Sequence, residues 1–270
     1  MKLHIDSFRY YLKIEHSDTS LPYLLLLHGF MGSGTSFSHL IKPLSTFCNP
    51  ITIDLLGHGR SDKCVDAKQY TTAKQGSHLQ SILKRLQIQN LHLYGYSMGG
   101  RLAFQLIFHY PEFFKSGIIE SAHCGLRAET EKLERKKNDD QLARNIEEDF
   151  ESFIQQWTQL PLFESTPDNF KKSYEKVMRA QDPRSMAASL RGFGSGVMPT
   201  ICDQIKNIEI PVHLIAGDQD QKYHRLMENM STMNTNFTFE SLPEAGHRVH
   251  TDRPEQLIHS IQTFLRLQNS

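Results

Sequence analysis

Residues 90–111 read NLHLYGYSMGGRLAFQLIFHYP, and this stretch decides the predicted fold. Its first part, LHLY, is a short apolar run of the kind found in buried strands. After a glycine-rich turn, GGRLAFQLI is typical of a buried helix, which Pro111 ends because proline lacks the N–H that a helix interior needs. The stretch therefore predicts a strand, a tight turn and a helix in direct succession.

The turn matches the pattern G-x-S-x-G at residues 95–99. In this pattern the serine occupies a strained turn, and the flanking glycines let strand and helix approach closely. The Ser97 hydroxyl is then presented at the top of the sheet, at a helix N-terminus that favours developing negative charge. We interpret Ser97 as a catalytic residue; a glycine-rich turn without catalytic function is the alternative.

Strand-like and helix-like segments alternate along most of the chain. The predicted strands lie in HIDSFRYYLKIEH (an antiparallel pair), LPYLLLLHGF, NPITIDLLGHG, FKSGIIES, IPVHLIAGDQD and NFTFESLPEAGH. The predicted helices lie in SFSHLIKPLS, in TTAKQGSHLQSILKRLQ, capped by Thr71 or Thr72, and in the C-terminal PEQLIHSIQTFLRLQ. This order predicts an α/β fold with a mostly parallel sheet and helices on both faces.

The alternation is interrupted between residues 126 and 194, where the sequence is helical in pattern and highly charged. We predict an α/β core formed by residues 1–125 and 195–270, and a helical cap formed by residues 126–194. The cap is a solvated insertion, a lid over the C-terminal edge of the sheet, or both. Ligands bind at that edge in folds of this kind.

The composition excludes several classes of protein. The 270 residues are 39% hydrophobic and 22% charged, which suffices for one large α/β domain. Thirty basic side chains balance thirty acidic ones, so no nucleic-acid partner is expected. No apolar run approaches the roughly 20 residues of a membrane span, and no signal peptide is visible.

We expect a cytoplasmic monomer, without metal or cofactor, whose four cysteines are reduced thiols: Cys48, Cys64, Cys124 and Cys202.

A serine that reacts at neutral pH needs a base. His247, in PEAGH, follows the last predicted strand, which is where the Ser–Asp–His order along the chain places that base. His250 is predicted to be peripheral. His28 and His58 are predicted to be hydrogen-bonded turn histidines.

The base in turn needs a carboxylate to fix its tautomer and stabilise its charged form. Asp220, in IAGDQD, is the predicted carboxylate, and Asp218 is the alternative. For a developing oxyanion, the backbone N–H groups of Met98 and Phe30 are the predicted donors.

These motifs resemble the α/β-hydrolase superfamily over nearly the whole chain. Within it the chain resembles the 2-succinyl-6-hydroxy-2,4-cyclohexadiene-1-carboxylate (SHCHC) synthases of the menaquinone pathway, the MenH family, in LHGFMGSG, DLLGHGRSD, GYSMGGRLAFQL, ESAHCGLR, QQWTQLPLF, GDQDQKY and EAGHRVH. The resemblance implies a lyase that eliminates pyruvate from 2-succinyl-5-enolpyruvyl-6-hydroxy-3-cyclohexene-1-carboxylate. It also implies that Ser97, activated by His247 and Asp220, abstracts a ring proton.

A substrate with three carboxylates needs cations in its pocket. Arg101 lies one turn after Ser97 on a helix that we expect to be buried, so its guanidinium needs a carboxylate partner. That partner is an internal residue or the ligand, and we favour the ligand. The resemblance adds Arg135 and Lys222 as substrate-binding cations, although a solvated helix face is the alternative for Arg135.

The resemblance also places two aromatic residues at the site, Tyr96 and Trp157. On its own, Trp157 would more often be a packing residue. Cys124 stands where the family often has proline, so the local backbone there departs from the family pattern. We interpret Cys124 as an inert thiol.

A carboxylesterase or thioesterase is the alternative function, because the same serine and oxyanion hole serve acyl transfer. A non-catalytic ligand-binding relative is a third possibility. Arg101, Arg135 and Lys222 favour the lyase, because together they predict a small anionic ligand.

Overall fold

The computed structural model describes residues 1–269. Within this range eight strands form one sheet. They are β1 (Lys2–Ile5), β2 (Phe8–Ile14), β3 (Tyr23–Leu27), β4 (Asn49–Asp54), β5 (Leu91–Tyr96), β6 (Ser116–Glu120), β7 (Val212–Gly217) and β8 (Phe237–Leu242).

Ten α-helices lie in the same range. They are α1 (Ser38–Leu44), α2 (Thr72–Leu86), α3 (Met98–His109), α4 (Glu129–Glu148), α5 (Phe150–Trp157), α6 (Asp168–Arg179), α7 (Pro183–Phe193), α8 (Gln221–Ser231), α9 (Val249–Asp252) and α10 (Pro254–Asn269). Short 3₁₀ helices lie at Gly34–Phe37, Ala67–Tyr70, Pro111–Phe113, Pro161–Phe163 and Ile205–Asn207. No helix in the described chain is long and apolar enough to cross a membrane.

The strand order is β1-β2-β4-β3-β5-β6-β7-β8. Strands β1 and β2 pair antiparallel, β2 pairs antiparallel with β4, and all pairs from β4 to β8 are parallel. The predicted α/β fold with a mostly parallel sheet is therefore confirmed. Because the strands from β3 to β8 run in one direction, the loops after their C-terminal ends meet at one edge of the sheet.

Alternation along the strands divides the core into two layers. Leu24 of β3 belongs to a buried cluster that includes Leu40 of α1 and Ile261 of α10. Its neighbour Leu25 belongs to a second cluster on the opposite face, with Leu102 of α3. Burying each such leucine contributes about 1.5–3 kcal/mol, which explains why the apolar strands lie between two helical layers.

Two helix details differ from the sequence interpretation. Helix α2 begins at Thr72, and Thr71 occupies its N-cap position, but the Thr71 hydroxyl donates to the Lys68 carbonyl and does not cap the helix.

Helix α8 was not predicted, because its sequence QKYHRLMENMS is largely polar. Asp220, the N-cap residue of α8, accepts a hydrogen bond from Tyr223 N, which accounts for its start.

Helices α4 to α7 have an apolar core of their own. Ile146, Ile154, Met178 and Met186 come one from each helix and form a single buried cluster. Met31, from the loop after β3, joins this cluster and ties the four helices to the C-terminal edge of the sheet. The cap boundaries at residues 126 and 194 stay a prediction.

The prediction of four reduced thiols is wrong for two of them. Cys124 and Cys202 form a disulfide, with their Cα atoms 5.0 Å apart, although 78 positions separate them in sequence. The chain leaves the sheet after β6 and returns beside the same point after α7, where Ile201 N donates to the Cys124 carbonyl. Cys48 and Cys64 are free and buried.

Candidate active site

Ser97 connects β5 to α3 in a strained backbone conformation. Its φ of 50° and ψ of −109° lie in a region that L side chains rarely adopt. A Cβ at Gly99 would lie 2.2 Å from the Leu27 carbonyl oxygen, and one at Gly95 would lie 2.5 Å from the Gly99 oxygen. The two glycines are therefore required for the close approach of β5 and α3 that presents the Ser97 hydroxyl.

The structure brings Ser97, His247 and Asp220 into one hydrogen-bonded chain. His247 Nε2 lies 3.1 Å from Ser97 Oγ, and His247 Nδ1 lies 2.6 Å from Asp220 Oδ2. His247 comes from the loop after β8, and Asp220 lies three residues after the end of β7. The carboxylate accepts from Nδ1–H, so Nε2 is free to accept the serine proton, as a general base requires.

The alternative carboxylate, Asp218, does not reach His247. Its backbone N–H donates to the Leu242 carbonyl at 3.0 Å, and its buried Oδ1 has no hydrogen-bond partner in residues 1–269. Between the two carboxylates, the geometry therefore selects Asp220.

Aromatic rings hold the imidazole from two sides. The ring centroids of Tyr223 and Tyr96 lie 4.7 and 5.6 Å from that of His247. Tyr96 is buried behind the histidine and does not reach the cavity wall described below. The substrate-binding role of Tyr96 stays a prediction, and the structure adds the contact of its ring with that of His247.

The two predicted oxyanion donors both line the cavity beside Ser97. Met98 is the first residue of α3, so its N–H has no acceptor within the helix. The Phe30 N–H makes no hydrogen bond within the described residues, and the Phe30 carbonyl accepts one from the Tyr174 hydroxyl of α6 at 2.6 Å. Both N–H groups are thus available to a ligand.

A cavity of about 680 Å³ opens over the Ser97 hydroxyl, between the sheet edge and helices α4 to α7. Its size is that of a typical small-molecule site. Trp157 lines it, next to Phe30, with the two ring centroids 5.8 Å apart. Three basic side chains, Arg101, Arg135 and Lys222, also lie in the wall.

Arg101 has no carboxylate within ion-pair distance among residues 1–269. Its Nη1 donates to the Phe193 carbonyl at 2.8 Å, and its guanidinium lies 5.0 Å from the centre of the Phe193 ring. Burial is the main cause that lowers the pKa of Arg101 to about 10, so the side chain stays cationic at neutral pH. A partly buried guanidinium without an anionic partner is suited to an anionic ligand.

Arg135 and Lys222 differ in how they are held. Arg135 of α4 donates through Nε to Asp139 Oδ1 at 2.8 Å and is half-exposed, so an internal carboxylate already neutralises part of its charge. The Lys222 ammonium lies 5.6 Å from the centre of the Tyr223 ring, and no carboxylate within residues 1–269 pairs with it. Arg101 and Lys222 are thus the cations that the described chain leaves without a carboxylate partner in this wall.

His250, predicted to be peripheral to the site, does not line the cavity, but it is buried. Its side chain is 1% exposed, and both its backbone N–H and Nδ1 lie within 3.0 Å of Glu120 Oε1. Glu120 ends β6, is fully buried and also accepts from the Tyr94 hydroxyl; burial raises its pKa to about 8. The sequence signal for this buried pair is the carboxylate of Glu120, which stands at the end of the apolar strand SGIIE.

His28 and His58 are hydrogen-bonded turn histidines, as predicted. His28 Nδ1–H donates to the Gly29 carbonyl at 2.8 Å, and its Nε2 accepts from the Leu55 N–H at 3.1 Å. His58 Nδ1–H donates to the Leu56 carbonyl at 2.9 Å. Neither residue lines the cavity. In residues 1–269 there is no group of three or more His, Cys, Asp or Glu side chains placed to hold a metal ion.

The fold and this arrangement of serine, histidine and aspartate define a class of protein. A model of the alpha/beta hydrolase fold family matches residues 22–254, so the chain belongs to that family. Within it, the chain belongs to the SHCHC synthases. It is 33% identical, over 264 residues, to a Bacillus subtilis (strain 168) protein named as a 2-succinyl-6-hydroxy-2,4-cyclohexadiene-1-carboxylate synthase, with 96% of both chains covered.

Two further comparisons agree with this membership. The SHCHC synthase of Escherichia coli O1:K1 is 26% identical over 254 residues, which cover 93% of this chain and 97% of the relative. The solved structure of MenH from S. aureus superimposes with a TM-score of 0.91 at 28% identity, covering 97% of this chain and 99% of that one. The similarity therefore includes helices α4 to α7 as well as the sheet.

Proposed function

We propose that this protein is an SHCHC synthase, a carbon–oxygen lyase that eliminates pyruvate from 2-succinyl-5-enolpyruvyl-6-hydroxy-3-cyclohexene-1-carboxylate. The observation that carries the proposal is a serine–histidine–aspartate chain in a cavity whose wall holds Arg101 and Lys222 without carboxylate partners in the described chain. Full-length similarity to proteins named for this reaction supports it.

Ser97 takes the ring proton in the first step. His247 Nε2 accepts the hydroxyl proton of Ser97 as the serine oxygen removes the proton from the ring carbon, and Asp220 stabilises the imidazolium that forms. The electron pair of the broken C–H bond moves through the ring and expels the enolate of pyruvate by breaking the C–O bond. The enolate takes up the proton that His247 Nε2 received, which restores the neutral imidazole, so the products are SHCHC and pyruvate.

Negative charge that develops during proton removal collects on the succinyl carbonyl oxygen, which is conjugated with the ring. The N–H groups of Phe30 and Met98 stabilise that oxygen; both residues line the cavity beside Ser97. Arg101, Arg135 and Lys222 bind the carboxylates, and Trp157 contacts the ring. The cap, residues 126–194, excludes water from the reactive anion.

Pyruvate release tests the proposal directly. Purified protein is mixed with the enolpyruvyl substrate, and pyruvate is followed with lactate dehydrogenase and NADH. We expect rapid release by the wild-type protein and a rate lower by about 100- to 10,000-fold for Ser97→Ala. Short-chain nitrophenyl esters are assayed in parallel.

An esterase is the competing function, because the same three residues can carry out acyl transfer. Fast hydrolysis of nitrophenyl esters together with no pyruvate release would show that the protein is an esterase. We expect the reverse, since Arg101 and Lys222 favour carboxylate ligands and offer nothing to a neutral ester.

A further inference from the structure

Ser195 lies in the cavity wall close to Arg101, and the mechanism above does not use it. It follows α7, is 7% exposed and lines the cavity over Ser97. The Phe193 carbonyl, two residues earlier in the chain, accepts the hydrogen bond of Arg101 Nη1 at 2.8 Å. The Ser195 hydroxyl and the Arg101 guanidinium are therefore held on the same part of the wall.

The partner of Ser195 determines which way its hydroxyl donates. The Gly125 N–H donates to His123 Nδ1 at 3.0 Å, so Nδ1 is unprotonated and the ring proton is on Nε2. His123 Nε2 lies 3.1 Å from Ser195 Oγ, so it donates to the serine. Burial, followed by the charges of Arg101, Lys222 and Arg135, lowers the pKa of His123 to about 3, which keeps the ring neutral.

Ser195 Oγ thus accepts a hydrogen bond from His123, and its own hydrogen remains to be donated. Within the part of the chain that the structure describes, Ser195 Oγ has no hydrogen-bond partner other than His123 Nε2. A buried donor needs an acceptor, and the basic wall around this one selects an acceptor with negative charge.

We propose that Ser195 is a substrate-binding residue that donates its hydroxyl hydrogen bond to the carboxylate held by Arg101. His123 is the positioning residue that fixes the direction of this hydroxyl. The inference rests on the proposed function, because it assumes an anionic substrate in the cavity. Ser195 would add a neutral hydrogen-bond donor to the three basic side chains of the cavity wall. The proposal also gives a role to His123, in the segment HCG after β6.

Substitution of Ser195 tests the binding role. We expect Ser195→Ala to raise KM by about tenfold, the typical effect of losing one hydrogen bond to a charged group, with little change in kcat. Calorimetry should show the same loss in the affinity for the product SHCHC, which measures binding without turnover. Ser195→Cys keeps the side-chain size but is a weak donor, so it should behave like Ser195→Ala even if the alanine variant folds poorly.

Substitution of His123 tests the positioning role. Gln can accept from the Gly125 N–H and donate to Ser195 Oγ, whereas Leu can do neither. We expect His123→Leu to match the KM of Ser195→Ala, and His123→Gln to remain close to wild type. The double variant, Ser195→Ala with His123→Leu, should lose no more than either single variant.

The outcomes separate this inference from the proposed function. No pyruvate release by the wild-type protein would refute the function itself. Normal release by the wild type, with KM and product affinity unchanged in Ser195→Ala and Ser195→Cys, would overturn the role of Ser195 alone. Equal losses in His123→Gln and His123→Leu, or additive losses in the double variant, would overturn the role of His123.

Discussion

Ser97 adopts a backbone conformation that is unfavourable for any residue with a side chain. A φ of 50° there costs about 1–3 kcal/mol, and it persists because the packing of β5 against α3 permits no other path. The same turn aims the hydroxyl at His247 and leaves the Met98 N–H without an acceptor in the helix. The strained turn therefore lowers the stability of this segment, and in return it positions the Ser97 hydroxyl and the Met98 N–H.

Removal of either end of the proton relay should abolish most turnover. For Ser97→Ala and for His247→Ala we expect kcat to fall by about 100- to 10,000-fold, the range for loss of a general base. The double variant should fall no further, since the two residues act as one unit. Pyruvate release measures the rate, and thermal unfolding checks the fold. Near-normal turnover by Ser97→Ala would contradict the assigned base.

Arg101 should contribute to substrate binding through its charge and its forked geometry. We expect Arg101→Ala to lower kcat/KM by about 10- to 100-fold, and Arg101→Lys to recover only part of the loss, because an ammonium cannot form a bidentate pair. Steady-state kinetics of pyruvate release provide the measurement. If Arg101→Ala lowers the melting temperature but leaves kcat/KM unchanged, Arg101 has only a structural role, through its hydrogen bond to the Phe193 carbonyl.

Among the elements, α6 and the residues around it fasten the cap to the turns that carry the site. The Tyr174 hydroxyl donates to the Phe30 carbonyl, and Gln181 Oε1 accepts from the Gly59 N–H at 2.9 Å. Thr166 donates to Asp252 Oδ1 at 3.0 Å. These bonds join α6 and its flanking residues to three separate segments, so α6 and the predicted oxyanion donor Phe30 are positioned together.

The Cys124–Cys202 disulfide should stabilise the protein by closing the chain around the cap. Cys124 and Cys202 are 78 positions apart. A cross-link that closes a loop of that length lowers the conformational entropy of the unfolded chain, which stabilises the folded protein by about 4 kcal/mol. We expect dithiothreitol to lower the urea midpoint of the wild-type protein by a corresponding amount. The variant with both Cys124→Ser and Cys202→Ser serves as control, since its midpoint should not respond to the reductant. An unchanged wild-type midpoint would contradict the prediction.

At the scale of the whole molecule, one buried polar network joins the centre of the sheet to the loop that carries His247. Glu120 of β6 receives hydrogen bonds from Tyr94 of β5 and from His250 of α9. The Ser97 N–H donates to the Glu120 backbone carbonyl at 2.9 Å. The segments that carry Ser97 and His247 therefore meet at Glu120, and the protonation state of Glu120 affects the stability of the fold.

Glu120 should make stability depend on pH. Its pKa in the folded protein, about 8, lies above its ordinary value of 4.5, so its contribution is fully present below pH 4.5 and is lost as the pH rises through about 8. The pKa of His250 is lowered well below 6.5, so its contribution makes the protein more stable as the pH rises, the opposite of Glu120. This contribution fades as the pH rises above 6.5. Burial also lowers the pKa of other histidines, which act in the same direction as His250: His28, His39, His58, His78 and His123. The contribution of Glu120 between pH 6.5 and 8 is therefore isolated by comparison with a variant that lacks the carboxyl group.

In that interval we expect Glu120 to contribute a fall of up to about 1.4 kcal/mol per pH unit to the free energy of unfolding, against the opposite contribution of the histidines. Glu120→Gln keeps the shape of the side chain but does not titrate, so it should lack this part of the slope. Urea unfolding at several pH values measures both. His39, His247 and Arg248, the other charged groups near Glu120, are common to both proteins and cancel in the comparison. Equal slopes would contradict a protonated Glu120.

Most of the fold could be predicted because its signals are local. A strand, a G-x-S-x-G turn and a helix are encoded by neighbouring residues, and parallel strands bring their C-terminal ends to one edge. Ser97, Asp220 and His247 each follow such an end, so their meeting could be expected from the order of the elements. Helix α8 was missed because its polar sequence carries no strong period.

The amino-acid sequence by itself thus determined the α/β order, the reactive turn and the basic residues available to a ligand. The tertiary structure alone decided three further features: the pairing of Cys124 with Cys202, the burial of His250 against Glu120, and the contact of Ser195 with His123. All three depend on contacts between residues far apart in the chain. No local pattern encodes such contacts, because which distant side chains meet, and which donor finds an acceptor, is settled only when the packed chain excludes water.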